Sequence, residues 1–160
     1  MKNKFGFYAI AGTVLMAMSG WAATTATATV TYTIGSIIAI SVSGNPGTLT
    51  VNSATAGSNP TSATDATTTY AVTSNIATQR VTGAIATAMP TGTTLSVNLA
   101  APSGGTSAGT VALTTTAQNL VTGISNIAAA GNVITYTLAA TVAAATVTNA
   151  TNTVTYTIGP

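Results

Sequence analysis

The chain has no cysteine, no histidine and no glutamate, and among its 160 residues it carries three basic side chains and a single acidic one. Each absence closes a class of chemistry. Without cysteine, no disulfide can staple the fold, so packing and backbone ladders must hold it. General acid–base catalysis needs titratable groups near the working pH, and here Asp65 has no second carboxylate and no imidazole to work with. A serine or threonine nucleophile would find no base to activate it. Zinc, copper and iron sites require several cysteine, histidine or carboxylate ligands, which one aspartate cannot supply. A calcium site made from Asp65 and carbonyls of the polar stretch 53–66 is the nearest arrangement the inventory leaves, and it is not expected. The glycines form no phosphate-binding loop. No catalytic, cofactor-binding or metal-binding residues are therefore expected, and no enzyme activity.

Charge is scarce in a patterned way. Lys2 and Lys4 precede an apolar run over residues 5–18, and Gly20 and Ala22 then give a small-x-small step. A basic start, a short apolar middle and small residues at the end define a secretory signal peptide over residues 1–22, helical and removed on export. The run is too short for a comfortable membrane span, and no later segment competes with it. Gly6-Phe7 also resembles a type IV prepilin cleavage point, but that route uses a glutamate shortly after the cut, and there is none. The mature chain from Ala23 would keep only Asp65 and Arg80, whose charges cancel and which are candidates for pairing. It offers no basic patch for nucleic acid. It also lacks the charge that keeps most soluble β-proteins apart, so it is expected to associate or to rely on its hydroxyls for solubility.

What remains is threonine, valine, alanine and turn residues. From residue 24 to 34, Thr27, Thr29, Thr31 and Thr33 alternate with Ala26, Ala28, Val30, Tyr32 and Ile34. Side chains alternate faces along a strand, so this segment has one hydroxyl face and one apolar face. Ile38, Ile40 and Val42 continue the pattern toward Asn45-Pro46-Gly47, read as a type II turn, with Leu49 and Val51 as the next strand. Further strands are expected around Tyr70 and Val72, Val81 and Ile85, Leu95 to Leu99, Val111 and Leu113, Ile134 to Val142, and Val154 to Ile158. Residues 120–127 are the hardest to assign, and Ala128 to Ala130 allows one short helical turn. Turn signals at Pro90-Thr91-Gly92 and Pro102-Ser103-Gly104-Gly105 space the strands as in a sandwich. β-branched residues are stiff at χ1, and no sustained 3.6-residue period appears, so helix is disfavoured. The expected fold is all-β: an antiparallel sandwich of Ig-like or jelly-roll type with eight to ten strands, in one domain over residues 23–160.

Val30-Thr31-Tyr32-Thr33-Ile34-Gly35 recurs as Val154-Thr155-Tyr156-Thr157-Ile158-Gly159, and Ile134-Thr135-Tyr136-Thr137-Leu138 is close to both. No regular period links the copies, which argues against a solenoid. Together, the leader, the alternating N-terminal strand and the closing strand resemble the secreted β-sandwich subunits of bacterial fimbriae, filaments and spore coats. The resemblance is architectural, and it departs from those proteins in having no disulfide. It implies an N-terminal segment that completes the sandwich of a neighbour, with Ala26, Ala28, Val30, Tyr32 and Ile34 as the assembly face and Gly35-Ser36 as a hinge. Val154, Tyr156 and Ile158 are the candidate acceptor or closing strand. The expected partner is a second copy of the chain, at the cell surface or outside it, with no membrane span in the mature form. Alternatives are a monomeric adhesin whose loops bind a surface glycan, and an ice-binding protein using the row of threonines. Asn149-Ala150-Thr151 is an acceptable glycosylation triplet, whereas proline excludes Asn59-Pro60-Thr61.

Overall fold

The computed structural model describes residues 24–160. The proposed leader, residues 1–22, and Ala23 lie outside the described residues. The described chain separates into two units at Thr33/Ile34. In the first, residues 24–33 are exposed and join no ladder. An alternating segment becomes a strand only when an edge pairs with it, and among the described residues none does.

The second unit is all-β, and two antiparallel sheets account for its strands. The strands are β1 (Ile38–Val42), β2 (Ala63–Ser74), β3 (Gln79–Ile85), β4 (Thr93–Leu99), β5 (Thr106–Ser107), β6 (Thr110–Ala112), β7 (Gln118–Ile124), β8 (Ile127–Ala140) and β9 (Val154–Gly159). One sheet has the order β1-β2-β8-β4-β6 and the other β5-β7-β3-β9, and neither closes into a barrel. After β2, every connection passes from one sheet to the other. The core therefore forms between two layers woven together by one chain. Tyr70, Val72, Leu95, Val97, Leu99, Ile134 and Tyr136 line it from the first sheet, and Val81, Ile85, Leu120, Val121 and Ile124 from the second.

Several local expectations need correction. Gly47 lacks the positive φ of a type II turn, and Leu49 and Val51 lie in irregular chain before β2. Gly47 is instead close to Asp65: a Cβ there would stand 2.9 Å from the carboxylate. Asp65 itself lies in β2 and not in the preceding loop. Its carboxylate accepts from the Thr67 hydroxyl at 2.8 Å and the Thr67 amide at 3.1 Å. Those bonds, with one from the Gly47 amide, hold its pKa below the usual carboxylate value. Thr67 thus takes the place that Arg80 was a candidate to fill. Ala128 to Ala130 are strand, because Ala128 and Ala129 pair with Thr73 and Val72 of β2. Tertiary pairing overrides the helix propensity of alanine, the strongest of any residue but small in a run of three. The turn at Pro90 forms as expected: Thr93 N donates to Pro90 O at 3.0 Å, and Gly92 has φ 79°.

Candidate assembly surface

The sandwich has two margins, each formed by one edge strand from each sheet. At one margin the edges are β5 and β6, of two and three residues, joined through Ala108 and Gly109. At the other, β1 and β9 approach each other with five and six residues. Short edges resist strand addition, whereas longer ones present rows of unpaired backbone groups.

The phase of those groups follows from the ladders. In an antiparallel pair, alternate residues direct their N–H and C=O at the partner and the residues between them direct theirs away. Ala86 N donates to Thr153 O at 2.9 Å, in register with the β3–β9 ladder. Thr155, Thr157 and Gly159 therefore bond to β3, while Val154, Tyr156 and Ile158 turn their backbone groups toward the open edge. On β1, Ser43 N donates to Thr69 O and Asn75 N to Ile37 O, so Ile38, Ile40 and Val42 are the outward-bonding residues there.

The same residues carry the inward side chains. Ile38, Ile40 and Val42 stand opposite Ser74, Val72 and Tyr70 of β2, all three buried. Yet Ile38 remains 40 % exposed and Val42 37 %. The first sheet thus has apolar side chains on its core-facing side that the second sheet leaves uncovered. Val154, Tyr156 and Ile158 are half-buried and pack on the core. Tyr156 Oη donates to Tyr136 Oη at 2.9 Å. Burial raises the pKa of both tyrosines, and it pushes Tyr70, whose hydroxyl donates to Ala100 O, up to about 12.

Of the proposed assembly face, Ala26, Ala28, Val30, Tyr32 and Ile34 are all exposed, the last three at 78 %, 81 % and 75 %. The proposed hinge is tied down on one side. Asn75 Nδ2 donates to Gly35 O at 2.8 Å, and Ile37 N donates to Asn75 Oδ1 at 2.7 Å. Asn75 is the residue that sequence reasoning missed. A polar residue after a strand reads as an ordinary turn, and its partners lie about forty positions upstream. Asn149 is exposed, with φ 51°, in the connection between β8 and β9.

An open hollow elsewhere is lined by Asn59, Pro60, Ser62, Gly92, Thr93 and Thr141, among others, with no titratable or aromatic side chain. Among the described residues there is no group of three or more metal-ligating side chains. Among them, too, no helix is long and apolar enough to cross a membrane. No protein-family model matches the chain, and no curated protein matches it.

Proposed function

We propose that the protein is a structural subunit of an extracellular filament, pilus or coat, and that it assembles by donating residues 26–34 to the edge of a neighbouring subunit. One observation carries the reading: Val30, Tyr32 and Ile34 alternate with threonines, remain exposed and have no partner strand among the described residues. Burying three such side chains on a neighbour contributes roughly 1.5–3 kcal/mol each, and ladder hydrogen bonds add about 1 kcal/mol apiece. The near-absence of charge supports the reading further, because nothing on Ala26 to Ile34 repels a second copy. The leader supports an extracellular destination.

The test is removal and return of the segment. A chain lacking residues 24–34 should stay monomeric, and a peptide of that sequence should bind it and raise its melting temperature. Filaments formed by the truncated chain, or a full-length chain that stays monomeric at high concentration, would overturn the proposal.

A further inference from the structure

Given strand donation, we infer that the acceptor is the β1/β9 margin, and that it takes residues 30–34 of a second copy antiparallel to β9. Val30 then lies opposite Ile158, Tyr32 opposite Tyr156, and Ile34 opposite Val154. The inference rests on the filament reading above and adds to it the edge, the direction and the register.

Edge length and backbone phase select the site. β9 offers three residues whose backbone groups face outward, and the same three turn their side chains toward the core. A strand laid beside them in this register continues both patterns, with Val30, Tyr32 and Ile34 pointing inward. Those side chains reach the core-facing row of Ile38, Ile40 and Val42, of which the four-stranded sheet leaves Ile38 and Val42 exposed. The incoming sequence also repeats that of β9, Val-Thr-Tyr-Thr-Ile-Gly in both places. A set of side chains that already packs on this core is offered a second time. The outward threonines meet in pairs, Thr31 with Thr157 and Thr33 with Thr155.

Direction selects a second copy over self-insertion. The Asn75 clip holds Gly35 and Ile37 at the end of β2, and Arg80, just beyond that end, pairs with Gly159 at the end of β9. A segment leading into Gly35 of the same chain could therefore lie along β9 only in the parallel sense. Every ladder between named strands is antiparallel, and parallel pairing is slightly less stable per residue. An antiparallel neighbour for β9 has to come from another molecule. Because donor and acceptor are different surfaces, the contact is head-to-tail, and it propagates into an open filament where the rotation between copies does not close.

The chain has no cysteine, so an engineered pair reports without background. In the proposed register Thr31 and Thr157 form a non-hydrogen-bonded pair, with a Cα separation of about 4.5 Å that a disulfide spans. Single variants Thr31→Cys and Thr157→Cys, both at exposed positions, are mixed at full length and oxidised. The expected result is a covalent heterodimer whose crosslink maps to 31–157, and a ladder of covalent multimers from the double variant. An intramolecular 31–157 link in the double variant would overturn both donation and acceptor. Absence of any 31–157 link, while the truncated chain still binds its peptide, would overturn the acceptor assignment and leave donation standing.

Discussion

The two margins of this sandwich are built from the same kinds of residue and differ in what they leave open. At the β5/β6 margin the edges are two and three residues long, and the chain turns directly from one sheet into the other. Ser107 there spends its hydroxyl on Asn98 Oδ1 and accepts from Gly109 N. At the β1/β9 margin the edges are five and six residues long, and each directs inward apolar side chains and outward backbone groups from the same residues. Neither margin carries a charged side chain facing outward to guard it. Protection against edge pairing therefore comes from brevity alone, and only one side has it.

The largest expected effect tests that asymmetry. A charge directed into an open margin is a standard barrier to strand addition. Ile38→Lys should abolish polymerisation while the domain stays folded, because a side chain already 40 % exposed leaves room for an ammonium to reach water. The same charge at exposed Thr110, on the short edge, should leave polymerisation unchanged; light scattering of the two variants compares them. Next in size is Tyr156→Ala, which empties part of the open margin and strands the Tyr136 hydroxyl. It should cost about 2–4 kcal/mol by denaturant unfolding, and Tyr156→Phe about 1 kcal/mol. Asn75→Ala removes bonds to Gly35 and Ile37 in an exposed setting and should cost about 1 kcal/mol, with faster amide exchange confined to the start of β1.

The pH response should be the smallest near neutrality. The lowered Asp65 pKa gives a contribution present above the ordinary carboxylate pKa and lost as pH falls through the folded value. The raised tyrosine pKa values act at the other end. The folded state holds protons that the unfolded state releases, so stability is intact below pH ~10 and declines as pH rises from there toward 12. Melting temperatures should be nearly flat from about pH 5 to 9 and fall in alkali. A shift of many degrees inside that window would mean that some other titrating contact holds the domain.

Much of the architecture is legible in the alternation itself. Tyr70 with Val72, Leu95 with Val97 and Leu99, and Ile134 with Tyr136 each mark a strand and its buried face, because a two-residue period leaves no other face for them. Legibility fails where the period breaks. Leu120 and Val121 are adjacent yet both buried, since irregular register between β3 and β7 disrupts the alternation. Gly83 on β3 makes room there: a Cβ would meet Leu120 Cδ1 at 2.6 Å. In sequence such a glycine suggests a turn. The proposed donor face reads directly from residues 26–34, but the margin proposed to accept it does not. β1 and β9 meet only through tertiary folding, and which backbone groups face outward depends on hydrogen-bond phase, which composition does not encode.

The Asn75 clip has a mechanical consequence. Tension on residues 24–34 enters the domain at Gly35, where the Asn75 side chain is its first attachment and the backbone bond from Asn75 to Ile37 the next. Force thus passes into β1 along its length, parallel to the strand axis. In the antiparallel seat proposed for β9, a pull on the neighbour's segment acts along that strand as well. Load in that direction strains the bonds of a ladder together, in shear, whereas a sideways pull would open them one at a time like a zipper. A chain of such subunits would resist stretching far better than peeling.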